Sequence, residues 1–485
     1  MRGWLGRGLI VVGTFVLVWL AVVFYWRSGN RMPNISEVAF YFIAAPIGVL
    51  IAMWLSVKAW GLATAQPASS TTAIAEPVVA GQISASDRAV EQEKTLSLAI
   101  LASSLRTARG ASAEELAASL ASNKTAFNLD PELTDRNGYP IMSGRVQDTD
   151  TGAQLAALAE WAINARLAAI SWSDEQLRAL ALGSAVVTEL AQRLIRHATL
   201  SDYLAARREK RDAILLPSLR LVMQLPGAWP AEQRSRAAQW FGHLVLEQGW
   251  PVEKLLPSTE SPAAMPLALA SIDRMMVDSF RQSQPCVAIV VACESHIDAA
   301  TVEKWEEQGK LFDPQGSVAL IPGEAAAGLL LADATQAQRL GLDGSAKLHR
   351  LIQDSRKKSA DAPGFASEEL LNGMLQRALD VAGIAAPEVA LVSADTDHRS
   401  SRMIELISAG SALFPDLDPN TQYLKTAAGC GEIGAAAGIA ALALGHYLIA
   451  NGAAAAVCIS NQDSHARSVA ALSTWEDQTD MKAAA

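Results

Sequence analysis

The sequence predicts a layered α/β protein preceded by two N-terminal transmembrane helices. Three observations lead to this prediction: two long uncharged apolar runs near the N-terminus, a change of composition after them, and an alternation of strand-like and helical segments over the rest of the 485 residues. A chain of this length can bury a large core.

Two apolar runs predict the membrane helices. Residues 9–26, LIVVGTFVLVWLAVVFYW, and residues 38–57, VAFYFIAAPIGVLIAMWLSV, contain no charged residue, and each is close to the roughly 20 residues that cross a bilayer core. A signal peptide is the alternative for the first run, but no A-x-A site follows it and a second run comes soon after. We therefore predict a two-helix anchor over residues 1–60, in contact with the lipid bilayer through residues 9–57.

The chain after the second run has a different composition. Residues 61–88 are rich in Ala, Ser, Thr, Pro and Gly and lack helical periodicity, which predicts a flexible linker. Beyond it, apolar runs typical of buried strands lie at residues 96–105, 218–226, 286–295, 323–334, 387–395 and 453–460. Apolar residues with helical spacing lie between them, at residues 151–170, 173–200, 231–249, 266–282 and 431–452. This alternation predicts α/β layers.

Charge and cysteine content exclude several classes of protein. The formal net charge is −10 and no Lys/Arg-rich run occurs, which argues against a nucleic-acid partner. The four cysteines, Cys286, Cys293, Cys430 and Cys458, form no CxxC pair and lie in apolar runs, so we expect reduced buried thiols and no metal site. No P-loop, GxGxxG, GxSxG or HExxH motif is present, and no cofactor is predicted.

Four segments together resemble the thiolase-like fold of the β-ketoacyl synthases. In chain order they are CVAIVVACESHID, GSVALIPGEAAAGLLLAD, LVSADTDHRSSRMIELISAG and LKTAAGCGEIGAAAGIAALAL, at residues 286–298, 316–333, 391–410 and 424–444. The resemblance covers residues 90–470. It implies an α-β-α-β-α layered domain, whose two halves we place at residues 89–257 and 258–485.

The resemblance also implies where catalytic residues would lie. A condensing enzyme of this family needs a thiol at a helix N-terminus and two groups that polarise a thioester carbonyl. The nucleophile position falls near Ala264 or Met265, the first histidine position holds Ala394, and the second holds Cys430 or Gly431. The family residues that remain are Glu324, Glu405, Lys425 and Gly429. We therefore predict that the chain is not an enzyme.

An atypical catalytic pair is the alternative. Cys430 lies among glycines just before a predicted helix, where the helix dipole would lower its pKa, and His398 lies in the preceding polar loop. A Cys430–His398 pair would support an acyl-transfer or condensing enzyme. The simpler interpretation is a small buried thiol and a surface histidine.

Residues 97–148 carry a second resemblance. Their central stretch LDPELTDRNGYPI, residues 129–141, resembles a family of membrane-anchored adaptors in bacterial type VI secretion, which load phospholipase effectors on the secretion spike. This resemblance implies a bacterial inner-membrane protein whose soluble domain faces the cytoplasm and binds a lipase-like effector and the spike-tip protein. Thiolase-like domains also imply a possible homodimer. On turn chemistry alone, Asn137, Gly138 and Pro140 predict a tight turn.

A protein-binding surface needs aromatic or arginine anchors. Residues 205–257 contain two tryptophan-bearing turns and a charged run. We therefore select Trp229, Trp250, Arg207 and Arg208 as candidate binding residues.

Overall fold

The structure is a computed structural model that describes residues 92–122, 127–210, 214–260, 266–312, 319–342, 346–362, 364 and 367–475. All of these residues lie within one compact unit, Ile83–Ala485.

The prediction of two transmembrane helices requires correction. No helix in the described part of the chain is both long enough and apolar enough to cross a membrane. Residues 9–26 and 38–57, on which the prediction rests, lie outside the described residues. The corrected fold class is therefore the layered α/β domain alone. The predicted inner-membrane localisation depended on the anchor and is withdrawn.

Thirteen strands occur in the described residues: β1 (Ser97–Thr107), β2 (Asn128–Thr134), β3 (Pro140–Ser143), β4 (Leu219–Gln224), β5 (Leu255–Glu260), β6 (Val287–Ser295), β7 (Glu324–Ala332), β8 (Ala346–His349), β9 (Ile352–Ser355), β10 (Val389–Ala394), β11 (Tyr423–Lys425), β12 (Ala455–Ser460) and β13 (Ala466–Thr474). Eleven of them form one sheet in the order β11-β10-β12-β13-β8-β1-β7-β6-β4-β5, with β9 beside β13, while β2 and β3 form a hairpin. The parallel sets are β5-β4-β6 and β11-β10-β12.

The predicted strands are present, with small shifts at their ends. The predicted domain boundary at residue 257 falls inside β5, and β6 and β7 from the predicted C-terminal half pair with β4 and β1. The turn predicted in the second motif is confirmed as the β2–β3 connection, where Gly138 has a φ of +81° and the Asp135 amide donates to the Tyr139 carbonyl at 2.8 Å.

Twelve α-helices cover the sheet in the described residues: α1 (Ala113–Ala121), α2 (Thr151–Asn164), α3 (Asp174–Leu194), α4 (Leu200–Arg208), α5 (Ala231–Glu247), α6 (Pro266–Arg281), α7 (Ala299–Glu307), α8 (Ala334–Leu340), α9 (Glu369–Ala382), α10 (Ser400–Leu413), α11 (Thr426–Cys430) and α12 (Ala436–Ala450). Helix α12 packs against strands from both halves of the sheet, including β7 and β12. Its alanines and glycines permit this close approach on all sides. Helix α3 packs on the opposite face of β6 and β7, so both strands are buried on both faces.

Candidate functional site

The candidate site lies at the carboxyl ends of β6, β10 and β12, the edge at which α/β sheets usually place ligands. Asp395 follows β10 and is fully buried. Its carboxylate accepts hydrogen bonds from the Ser460 hydroxyl and from the amides of Asn461 at 2.8 Å and Gln462 at 3.1 Å. Burial raises the pKa of Asp395 to about 6, although these hydrogen bonds oppose the rise. Asp395 therefore joins β10 to β12 and fixes the backbone of Gln462.

Glu432 lies at the centre of the site, between α11 and α12. One oxygen accepts a hydrogen bond from Nε2 of Gln462 at 2.7 Å, and the other accepts from the Gly434 amide at 3.2 Å. Across from it, Nε2 of His296 lies 3.4 Å from Oε1 of Glu294. Gly434 has a φ of +54°, and a Cβ at this position would overlap the Glu294 carboxylate. The glycine therefore lets Glu294 approach the start of α12.

The ionisable groups of this cluster shift one another's pKa. Burial raises the pKa of Glu432 to about 7; the charges of Glu294 and Asp397 add to the rise, and those of His296 and Arg399 oppose it. Burial alone would lower the pKa of His296, but the hydrogen bond and charge of Glu294 and the charge of Glu432 raise it on balance. A carboxyl and an imidazole that lie in one cluster and whose pKa values are both raised can act as a general acid and base.

Two arginines hold the other side of the site. Arg399 and Arg402 both donate to the Gln462 carbonyl, at 2.9 and 3.0 Å. Each is also neutralised by a carboxylate, Arg399 by Asp397 at 2.6 Å and Arg402 by Asp361 at 2.7 Å. These contacts fix the Gln462 backbone from a second direction, so its side chain can position Glu432.

A buried ion pair supports the end of β6. The Glu324 carboxylate accepts hydrogen bonds from Nε and Nη2 of Arg178 at 2.8 and 2.6 Å, from the Val146 amide at 2.7 Å and from the Ser295 hydroxyl at 3.0 Å. Glu324 is fully buried. Since Ser295 is adjacent to His296, the pair fixes the segment that presents His296 to the cluster.

Cys430 is 0% exposed and is the last residue of α11, whereas the long helix α12, expected to begin just after it, begins at Ala436. Burial raises the pKa of its thiol to about 11, while a hydrogen bond with Thr107 and the charge of Arg109 partly oppose the rise. Thr107 and Arg109 are thus the polar groups that act on the thiol, which lies in a hydrophobic core cluster. This environment favours the protonated thiol.

His398 lies in a separate environment. Its ring meets the Phe312 ring edge to face, with centroids 5.3 Å apart. Burial lowers its pKa, and the charge of Asp397 and a hydrogen bond with the Ala319 carbonyl oppose this. Among the contacts described for these residues, none joins His398 to Cys430.

The other family positions have structural contacts. Ala394 is buried at the end of β10, and Ala264 and Met265 lie outside the described residues. Nζ of Lys425 donates to the Pro419 carbonyl at 3.1 Å. Glu405 forms a fully buried ion pair with Arg467 at 2.8 Å.

The four candidate binding residues divide into two groups. Trp229 and Trp250 are buried in the core between α3, α5 and the sheet. Arg207 and Arg208 end α4 and are exposed, and Arg207 pairs with Glu253 at 2.7 Å. The arginines are therefore available to a partner, whereas the tryptophans are enclosed.

Sequence reasoning did not select Glu294, Glu432 or Asp395 as site residues. The available signal was a charged residue at the end of an otherwise apolar strand run, as in CVAIVVACES. In the described part of the chain, no group of three or more His, Cys, Asp and Glu side chains has an arrangement that could hold a metal ion.

Comparison with known proteins identifies the fold. No family model and no curated protein matches the chain. Among solved structures it is similar to the ishigamide ketosynthase/chain length factor, with 17% identity, coverage of 78% of this chain and 100% of the other, and a TM-score of 0.52. It is also similar to the ketosynthase from module 6 of the bacillaene synthase of Bacillus subtilis 168, with 12% identity, coverage of 78% and 72%, and a TM-score of 0.53. A type II polyketide synthase ketosynthase in complex with its acyl-carrier protein gives 14% identity, coverage of 78% and 100%, and a TM-score of 0.50.

The chain therefore has the ketosynthase, or thiolase-like, fold, as the first resemblance implied. These three structures are ketosynthases, and they give no support to the resemblance to type VI secretion adaptors.

Proposed function

We propose that the chain is a condensing-enzyme-like protein that uses its ketosynthase fold for binding and not for thiol catalysis. The state of the cysteines carries this proposal. A catalytic thiol must be accessible and have a lowered pKa. All four cysteines are buried, and burial raises the pKa of each thiol. No cysteine occurs at residues 261–281, which connect β5 to α6 and form that helix.

The similar structures suggest the chemistry of a partner. One is a ketosynthase/chain length factor, and another is a ketosynthase in complex with an acyl-carrier protein. By analogy, the partner of this chain would be an acyl-carrier protein or a second ketosynthase-fold subunit. Binding of a secreted effector and a spike-tip protein is a narrower version of the proposal, supported by the motif at residues 129–141 alone.

Intact-protein mass spectrometry tests the absence of thiol catalysis. We would incubate the full chain with octanoyl-N-acetylcysteamine at pH 7.5, with Cys430→Ala and Cys458→Ala as matched variants. We expect no octanoyl increment on any of the three proteins. An increment on the wild type and on Cys458→Ala that is lost in Cys430→Ala would contradict the proposal and establish the atypical Cys430 enzyme.

A second candidate function is acyl transfer or hydrolysis by acid–base catalysis. It is favoured by the contact of Glu432 with Gln462 and by the pKa of Glu432, which is raised to about 7. Thioester cleavage would then follow the titration of Glu432 and be lost in Glu432→Gln while Cys430→Ala retains it. If the wild type, Glu432→Gln and Cys430→Ala all cleave the thioester at the uncatalysed rate, this second candidate function is refuted.

A further inference from the structure

A second site lies at the opposite edge of the sheet. A cavity of about 1040 Å³ opens beside the amino ends of β4, β5 and β6, between the end of α6 and the start of α8. The Glu432 cluster lies at the carboxyl ends of the strands, so the length of the strands separates the two sites. Pockets for small organic ligands typically have volumes of roughly 300–1,000 Å³.

Much of the inner wall of the cavity is apolar, although the buried side chains of Ser279 and Gln336 also line it. Leu98, Leu216 and Met276 are buried residues that line it. At the rim, Leu215 is 82% exposed and Leu256 is 52% exposed. Exposed leucines beside a buried apolar wall are typical of a surface that receives an apolar ligand.

A guanidinium group lies on the apolar face of the sheet in this cavity. Arg220 is the second residue of β4, where its neighbours across the sheet are Leu256 on one side and Ala288 on the other. It is half-buried, and within the described residues it forms no ion pair or hydrogen bond. A partly buried charge without a partner is unfavourable, so its position indicates an anionic ligand.

The acidic residue of the described lining, Asp333, forms no ion pair with Arg220. Asp333 accepts hydrogen bonds from the Cys286 amide at 2.6 Å and from the Gln336 amide at 3.0 Å, the second as the N-cap of α8. A second arginine, Arg339, also lines the cavity. The cavity thus has two cationic side chains and one carboxylate that is already engaged with the backbone.

We infer that this cavity binds a single-chain amphiphile with an anionic head group, an alkyl carboxylate or an alkyl phosphate. The alkyl chain packs against Leu98, Leu216 and Met276, and the head group accepts hydrogen bonds from Arg220. This inference is independent of the proposed function because it uses none of the residues of the Glu432 cluster.

Isothermal titration calorimetry on the full chain tests the inference, with sodium dodecanoate below its critical micelle concentration as the probe. We expect saturable binding to the wild type. Arg220→Gln should weaken it by about tenfold or more, since a charge-assisted hydrogen bond is lost. Methyl dodecanoate should bind the wild type as weakly as dodecanoate binds Arg220→Gln. Dodecyl phosphate in place of dodecanoate shows which anionic head group the cavity prefers.

Two further variants locate the site. Thr335→Trp, an exposed substitution at the rim, should block the cavity and abolish binding, whereas Arg193→Gln, which removes an exposed arginine from α3, should leave it unchanged. Failure of the wild type to bind either amphiphile overturns the inference. Equal binding of dodecanoate by the wild type and by a folded Arg220→Gln also overturns it, because the site would then not recognise the anion.

Discussion

Replacement of Glu324 by glutamine should destabilise the protein strongly. The two carboxylate oxygens accept four hydrogen bonds, two of them from Arg178, and the side chain of Arg178 is only 8% exposed. An amide has one accepting oxygen, so the NH₂ group of the introduced glutamine would face donors at the other position. Arg178 would also retain a buried charge without a carboxylate. Breaking a buried ion pair in this way typically costs about 3–5 kcal/mol, and we expect Glu324→Gln to fall near the lower limit because its shape is preserved.

Urea unfolding followed by tryptophan fluorescence measures this loss, with the free energy of unfolding obtained by linear extrapolation. Glu253→Gln is the matched control: it removes a carboxylate from an exposed pair with Arg207, and no measurable change is expected. The double variant Arg178→Met/Glu324→Leu should be more stable than Glu324→Gln because neither charge remains buried. A loss below about 1 kcal/mol for Glu324→Gln would refute the assignment of a buried, ion-paired carboxylate.

Two further predictions concern the Glu432 cluster. The pKa of Glu432 is raised from its usual 4.5 to about 7, so the native state keeps a proton between these values that the unfolded chain has released. The stability due to Glu432 is therefore complete below pH 4.5 and is lost as the pH rises through 7, by at most about 3 kcal/mol. The midpoint of urea unfolding should thus fall between pH 5 and pH 8 in the wild type, and Glu432→Gln should make this fall smaller. An equal fall in the two proteins would contradict the raised pKa. Gly434→Ala should lower the midpoint of urea unfolding because the added Cβ meets the Glu294 carboxylate. The control is Gly373→Ala in α9, which should not lower the midpoint because the space around Gly373 is open. Equal midpoints for Gly434→Ala and the wild type would show that Glu294 moves away freely.

Much of the strand framework could be predicted because its strands are buried on both faces. β6 and β7 are continuous apolar runs for this reason, and the small residues of α12 reflect its contact with both halves of the sheet. β5 was missed because it lies at the edge of the sheet: most of its side chains are exposed, and Pro257 interrupts the pattern. β8 and β9 have four residues each, too few for a periodic pattern.

The candidate site was harder to predict because its members come from distant segments. Glu294 and His296 lie at the end of β6, whereas Glu432 precedes α12, and only the packing of that helix against the sheet brings them together. The argument for a lowered pKa of Cys430 assumed that a helix begins just after this residue. In the structure, α11 ends at Cys430 and the thiol is buried. Desolvation therefore raises the pKa of the thiol, whereas the helix dipole was expected to lower it.

The residues that carry the family resemblance have structural roles. Glu324 is held by Arg178, Glu405 by Arg467, and the ammonium of Lys425 donates to a backbone carbonyl. These contacts can stabilise the fold of this chain whether or not it has catalytic chemistry. For this reason the resemblance supports the fold alone. Glu432, whose pKa is raised to about 7, lies outside that set, and its replacement tests whether the chain has a catalytic function.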